Sequence, residues 1–330
     1  MAKVNGISVV IPNYNGEKLL PEIIPLALRA LENTGLLFEI IIVDDSSKDA
    51  SLELIKNDFT FVKCIVNDTN SGFSVTANKG IMAAKYEWVL LLNSDVKLAA
   101  DYFKHLLKYT TDNKVFAVMG RIVGWDDEII QDGAKYPHFH GMKIKTSGNY
   151  LLEDESKMKD GLLSMYVSGA NAFINKNIFI EIGGFNEMFS PYYVEDFELS
   201  LRAWRFGYVC YYDHQSICRH KVSSTIKSTQ AKKSVNIIYN RNKMYLHAIH
   251  HTFPSNIFWI IQLTGEVIGR ALLLQTSYVK SFSLFLKNYR KINIERRKLK
   301  SISKQQHLFS IKEVADKIIT SVKNETIIRF

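Results

Sequence analysis

Over the first hundred residues, short unbroken apolar runs alternate with amphipathic stretches. Ile7-Ser8-Val9-Val10-Ile11 is rich in β-branched residues and stops at Pro12, which predicts a strand running into a loop. Residues 17–34 set Leu19, Leu20, Ile23, Ile24, Leu26, Ala27, Ala30 and Leu31 at helical spacing. Glu39–Val43 predicts a second strand, ending at Asp44-Asp45-Ser46-Ser47, and 49–57 a helix. A third strand over 61–66, a helix over 74–85 and a fourth strand over 88–92 follow, the last broken by Asn93-Ser94-Asp95. Continuous apolar strands separated by helices predict a parallel sheet covered on both faces. Ligands of such sheets bind beyond the carboxyl ends of the strands. The polar clusters there are Asn13/Tyr14/Asn15, Asp44/Asp45, Asn67/Asn70 and Asn93/Asp95, so all four are expected around one crevice.

The middle of the chain is less regular. Residues 115–123 predict a strand, 125–162 are polar and loop-like, and 166–174 are apolar around a small-residue centre. A strand-like run over 208–217 ends just short of His220, and 195–206 reads as a helix. Beyond 230 the pattern is helical, with no internal repeat. Residues 256–286 are apolar but interrupted by Glu266 and Arg270, too polar to span a bilayer. They fit either an interfacial position or packing on the body.

Charge sharpens this division. The net charge of +9 separates into −6 over residues 1–220 and +15 over 221–330, with eight Lys/Arg and one Glu between Lys287 and Lys304. A basic tail on an acidic body calls for an anionic partner: phospholipid, nucleic acid or a charged substrate. No helix-turn-helix, zinc-finger or RNP-like motif is present, so nucleic acid is not expected. An anionic membrane surface met through 256–304 is the remaining tail partner. Three cysteines, none in a CxxC pair, exclude a disulfide scaffold and a structural zinc site. The opening residues read as no secretory leader, so a cytoplasmic protein, peripheral on the inner face of the cell membrane, is expected. His247, His250, His251, His138 and His140 lack carboxylate or cysteine partners at suitable spacing and read as surface or packing histidines.

Adjacent carboxylates at strand ends are poorly placed for packing. Asp44-Asp45 and Asn93-Ser94-Asp95 offer hard oxygen ligands for a divalent cation or partners for ribose and base edges. Turn chemistry explains them equally well. Glu195, Asp196 and Glu198 stand at a predicted helix start, where the dipole favours negative charge. His220 on its own fits structure or ligation.

The series ISVVIPNYN, IIIVDDSS, NSGFSVTANKGI, WVLLLNSDV, GGFNEMFSPYYVEDFELSLR and CRH resembles a family 2 glycosyltransferase, and the NSGF element is similar to the rhamnosyltransferase-like branch. The resemblance covers about residues 6–222. It implies an α/β glycosyltransferase-A fold: a mostly parallel, Rossmann-like nucleotide-binding sheet flanked by helices. The catalytic domain would be 1–225, with a nucleotide-binding half over 1–115 and an acceptor and base half over 116–225. A helical basic region would follow over 226–330. The implied activity is inverting, metal-dependent hexosyl transfer from a nucleotide-diphosphate sugar to a hydroxyl of a glycan or lipid-linked acceptor in cell-surface polysaccharide synthesis. Rhamnose is the donor sugar the branch implies, with galactose and glucose also open.

By the same resemblance Pro12, Tyr14, Asn15, Asp44, Asp45, Asn70, Gly72, Asn78, Asn93 and Ser94 would line the nucleotide and donor site. Gly169 and Ala170 would sit by the donor sugar, and Arg202 would support it or meet phosphate. Asp95 and His220 would hold Mn²⁺ or Mg²⁺, Asn93 replacing the first carboxylate of the family's DxD. Asp196 would be the base, with Glu195 its rival. A sugar nucleotidyltransferase would carry a Gly-rich basic loop after the first strand, and a nicotinamide dehydrogenase GxGxxG; neither is there. A non-catalytic sugar-nucleotide binder is the other alternative. No QxxRW-like element points to a processive synthase.

Overall fold

The computed structural model describes residues 4–145, 148–221, 229–303 and 307–330. The first half alternates strand and helix: β1 (Gly6–Asn13), α1 (Leu20–Glu32), β2 (Leu37–Asp44), α2 (Ser51–Asp58), β3 (Lys63–Val66), α3 (Phe73–Ala83) and β4 (Trp88–Leu92). β1 lies parallel to both β2 and β4, and β2 parallel to β3. Ile7, Val9, Val10 and Ile11 are wholly buried, as are Val89 to Leu92, as strands covered on both faces must be. α1 buries the predicted stripe Leu20, Ile23, Ile24, Ala27, Ala30 and Leu31.

Beyond the broken motif come β5 (Val96–Leu98), α4 (Tyr102–Leu106) and β6 (Val115–Gly124). Residues 125–162, expected as loop, instead build five short strands: β7 (Ile130–Asp132), β8 (Ala134–Lys135), β9 (Phe139–His140), β10 (Lys143–Ile144) and β11 (Asn149–Leu152). Runs this short carry no readable period, which is why the sequence conceals them. After β12 (Leu162–Leu163) come β13 (Asn171–Asn175), α5 (Lys176–Glu181), α6 (Glu195–Arg205) and β14 (Val209–His220). β13 enters the main sheet antiparallel between β4 and β6, and β14 runs parallel to β6. The final strand order is β12-β14-β6-β13-β4-β1-β2-β3.

The last part contains α7 (Thr229–His250), α8 (Ser255–Leu272), α9 (Thr276–Lys287), α10 (Tyr289–Ser303), α11 (Ile311–Ser321) and β15 (Ile327–Arg329). It does not stand apart. β15 pairs with β11, and Leu246, Trp259, Ile292 and Val314 join one core cluster with Phe116, Phe197 and Trp204. The expected boundary at 225, and Lys304, lie outside the described residues. Among the described residues no helix is long and apolar enough to cross a membrane.

Candidate active site

The carboxyl ends of β1, β2 and β3 form a polar lattice. Register places Asn13 opposite Asp44. The buried Asp44 carboxylate accepts from Asn13 Nδ2 (2.8 Å), the Ser47 N–H (2.8 Å) and Ser47 Oγ (2.6 Å). Asp45 accepts from Asn67 Nδ2 (2.8 Å) and from the N–H groups of Ser71 (2.8 Å) and Gly72 (2.9 Å). Asn15 takes a left-handed conformation, its N–H donating to Ser47 Oγ and its Oδ1 accepting from the Lys48 N–H. Pro12 is half-buried, whereas Tyr14 and Asn70 are exposed at the mouth. Gly72 has φ +84°, and a Cβ there would lie 3.0 Å from the Pro191 carbonyl, so the loop's close approach to the 190–191 segment requires glycine.

Asp95 and His220, 125 positions apart in sequence, are brought together by strand register. β14 runs antiparallel to β5 with His220 opposite Val96, and the Lys221 N–H donates to the Asp95 carbonyl. His220 Nε2 lies 3.5 Å from Asp95 Oδ2. His220 Nδ1 lies 3.1 Å from Gln131 Oε1, an acceptor, which assigns the proton to Nδ1 and leaves the Nε2 lone pair facing Asp95. Asp95 Oδ1 is buried with no hydrogen-bond partner among the described residues. An orphaned carboxylate oxygen beside an imidazole in its ligating tautomer, oriented by an outer amide, fits a divalent cation. Among the described residues no three His, Cys, Asp or Glu side chains gather as a complete protein cage. Two protein donors therefore leave coordination positions for water or substrate oxygens. Asn93 donates its N–H to the Ala170 carbonyl (3.0 Å) and accepts from the Val96 N–H, with Ser94 half-buried at the turn between. Lys97 and Lys221 both lie over the Trp125 ring beside this turn.

Glu195 and Asp196 open α6. Gly169 lies against them: its N–H donates to Asp196 Oδ2 (3.4 Å), and a Cβ there would sit 3.0 Å from the Phe73 ring. The Phe197 N–H donates to Asp196 Oδ1 (2.7 Å). Burial pushes the Asp196 carboxyl above the usual carboxylate range, against the backbone N–H groups and the Lys135 ammonium, which pull it down. Glu195 is raised by burial and by the Asp196 charge, and its Oε2 is a buried oxygen without a partner. Lys135 is buried, lowered to about 8 by desolvation, and held by Asp132, Asn149 Oδ1 (2.7 Å) and the Tyr166 ring. Tyr193 and Val194, immediately before α6, both have positive φ (73° and 75°), a strained run for non-glycine residues. Asn242 of α7 clamps it, its Nδ2 donating to the carbonyls of Phe189 (2.7 Å), Tyr192 (3.1 Å) and Tyr193 (2.8 Å). Lys135, Gln131 and Asn242 belong to no local motif, and the sequence reading missed them.

Two expected donor contacts have other partners. Asn78 Nδ2 donates to the Phe185 carbonyl (2.9 Å) and Asn78 Oδ1 accepts from the Phe185 N–H (2.8 Å), locking the turn after Gly183-Gly184. Arg202 directs its guanidinium to both Glu198 oxygens and the Ile182 carbonyl. Their polar atoms thus hold the protein together rather than facing the crevice. His250 completes the Glu198 cluster, with Nε2 3.1 Å from Glu198 Oε1 and Nδ1 3.1 Å from an Arg205 nitrogen. His247, His250 and His251 are all buried, the packing role expected of them.

Ala170 bonds the 93–95 turn while its neighbour Gly169 bonds Asp196, so the turn that carries Asp95 and the start of α6 meet along one seam. Solved structures share this architecture. GalNAc-T7 with UDP, GalNAc and Mn²⁺ is 19% identical, with a TM-score of 0.58 over 74% of this chain and 48% of that one. The mannosyltransferase PcManGT of Pyrobaculum calidifontis, in complex with GDP-Man and Mn²⁺, is 12% identical, with a TM-score of 0.53 over 92% of this chain and 81% of that one. The fold is the glycosyltransferase-A fold. In sequence the chain is 25% identical to the O-antigen chain rhamnosyltransferase RfbN of Salmonella typhimurium, over 66% of this chain and 67% of the relative. It is 34% identical to an undecaprenyl-phosphate 4-deoxy-4-formamido-L-arabinose transferase of Pseudomonas paraeruginosa, over 28% of this chain and 29% of that protein. The chain thus spans two thirds of the first relative and under a third of the second. The family model for glycosyl transferase family 2 matches residues 8–183, more than half of the chain, and the protein belongs to that family of glycosyltransferases.

Proposed function

We propose that this glycosyltransferase moves a sugar from a nucleotide-diphosphate donor to a hydroxyl of a glycan or lipid-linked acceptor, with inversion at the anomeric carbon, in cell-surface polysaccharide synthesis. The observation that carries this reading is the seam at 169–170, which ties the Asp196 carboxylate to the 93–95 turn through two adjacent residues. The diphosphate and the base then flank one anomeric carbon.

Asp95 and His220 would hold the divalent cation, Mn²⁺ or Mg²⁺, which when bound stabilises negative charge on the diphosphate leaving group. Asp44, Asp45 and Asn15 shape the nucleotide wall, with the exposed Tyr14 ring at its mouth. Asp196 accepts the proton of the acceptor hydroxyl as the new oxygen–carbon bond forms and the carbon–phosphate-oxygen bond breaks, its electron pair passing to the diphosphate. A carboxyl raised by burial is a stronger base once ionised, and the Lys135 ammonium favours the ionised form. Family membership favours this over the nucleotidyltransferase and binding-only alternatives.

The proposal places 256–304 on an anionic membrane surface. Its support is α8, whose only charged residues, the half-buried Glu266 and the exposed Arg270, both line one cavity, while Ile257, Ile261, Ile268 and Leu272 are exposed. Leu273 and Leu274, 71% and 84% exposed, extend that face, and α10 adds exposed Arg290, Lys291, Arg297 and Lys298.

A panel of nucleotide sugars tests the function. One donor should raise the melting temperature with Mn²⁺ and not with chelator, and its transfer product should show the inverted anomer by NMR. Retention of configuration, or no stabilisation by any nucleotide sugar, contradicts the proposal.

A further inference from the structure

A second cavity, of about 270 Å³, lies between the β9–β10 hairpin and the helices α7, α8 and α9. It is several times the ~30 Å³ share of one water molecule. Its walls carry Lys143, Lys145, Lys243 and Arg270 and a single carboxylate, Glu266. Lys143 is paired with Glu266, which also accepts from the Tyr278 hydroxyl (2.9 Å). Among the described residues no carboxylate lies within ion-pair distance of Lys145, Lys243 or Arg270. The Lys243 ammonium rests over the Tyr239 ring, and the Arg270 guanidinium over Tyr278 at 4.3 Å. Desolvation and the charges of Lys143, Lys145 and Arg270 all lower Lys243, so the cations repel one another in a partly dry space. His247, with Nε2 accepting from the Ile144 N–H and Nδ1 on the Lys243 carbonyl, is a closed part of the wall.

One ring contact links the helix that walls the cavity to the loop before the base. Tyr239, one helical turn before Lys243, packs edge-on against Tyr193 (6.1 Å between centroids), which precedes Glu195-Asp196 by two residues. The half-buried Tyr166, its hydroxyl raised by desolvation, also feels the charges of Asp196 and Tyr239. Asp95 and His220, which would hold the donor's cation, sit on the β5–β14 pairing and do not line this cavity.

We propose that this cavity binds the phosphate or diphosphate group of the acceptor and so presents the acceptor hydroxyl to Asp196. The inference rests on the glycosyl-transfer reading and deepens it by naming the acceptor's chemistry: a phosphorylated acceptor, either lipid-linked or water-soluble. Lys and Arg side chains form the charge-assisted hydrogen bonds that phosphate oxygens need. The uncharged outer face of α8, backing the same helix, is where a lipid tail would lie.

The test is calorimetric titration of the full chain carrying Asp95→Ala, in chelator, so that the donor site is silent. The probes are inorganic pyrophosphate, farnesyl diphosphate and farnesol. Both diphosphates should bind and farnesol should not. Lys243→Gln with Arg270→Gln should weaken both diphosphates about tenfold or more, as expected for losing charge-assisted contacts. The exposed Lys145→Gln, which threatens no packing, should weaken them about threefold. Farnesyl diphosphate binding at least about tenfold tighter than pyrophosphate assigns a lipid-linked acceptor; equal affinities assign a soluble phosphorylated one. Unchanged affinity in both variants, or no diphosphate binding at all, overturns the proposal. Failure of the transfer reading itself would show separately, as a wild-type chain that no nucleotide sugar stabilises.

Discussion

Two pairs of adjacent carboxylates stand at the ends of regular elements, Asp44-Asp45 after β2 and Glu195-Asp196 at the start of α6. Asp44, Asp45 and Glu195 are buried and Asp196 partly so, yet the pairs are built oppositely. The first pair accepts six hydrogen bonds from Asn13, Ser47, Asn67, Ser71 and Gly72. Those bonds tie three loops into one wall. Among the described residues, a Glu195 oxygen of the second pair has no partner, and Asp196 receives only its neighbour's N–H and a long bond from Gly169. Burial without full solvation by donors raises both carboxyls of this second pair. Satisfied carboxylates hold the protein in shape; underserved ones are, in the proposed function, free for a substrate proton or a cation. Asp95, with one orphaned oxygen, belongs with the second kind.

The contrast breaks most sharply at Asp196. Asp196→Asn should lower the transfer rate roughly 10²- to 10⁴-fold, the usual range for a lost general base, while donor affinity stays unchanged by equilibrium titration. Asp95→Ala should weaken donor binding in Mn²⁺ roughly 10- to 100-fold and abolish its sensitivity to chelator. Equal wild-type affinity with and without chelator would remove Asp95 from the donor site. Asp45→Ala orphans two backbone N–H groups and the Asn67 amide, so it should cost about 3 kcal/mol and roughly 4 °C in melting temperature. An unchanged melting curve would show that the lattice is not what holds the loops.

The smallest effect sharpens the comparison through a third buried carboxylate. Arg202 and His250 hold Glu198 down at about 2 against an ordinary 4.5, so its stabilisation is present above pH 4.5 and is lost as pH falls toward 2. His250 is held neutral, lowered by burial from 6.5 to about 4, so its contribution is lost between those values as pH falls. Chemical denaturation should therefore show stability declining from about pH 6.5 downward, and His250→Asn should flatten the upper part of that decline. An identical pH slope in the variant would remove His250 from this role.

The first half of the fold was legible because β1, β2 and β4 are continuous apolar runs and α1 carries a clean helical stripe. Residues 125–162 were not, since strands of two to four residues leave no period. The candidate site was legible as a set of residue types but not as a set of partners. Asp95 and His220 meet only through the pairing of β5 with β14, across a separation no local pattern spans. Asn78 and Arg202 have the residue types of ligand contacts, and only their hydrogen bonds show that they lock a turn and an ion pair. Lys135 and Asn242 act on Asp196 and its loop from a short strand and from the C-terminal helices. Nothing in their neighbourhoods in sequence marks them.

The most direct test measures Asp196→Asn and Asp45→Asn side by side, reading transfer rate and melting temperature at pH 8. The account predicts that Asp196→Asn loses roughly 10²- to 10⁴-fold in transfer rate while melting at or above the wild-type temperature, because a desolvated charge held at a cost is gone. Asp45→Asn should melt lower and keep the larger share of its rate. An Asp196→Asn enzyme that transfers sugar at the parental rate would contradict the account.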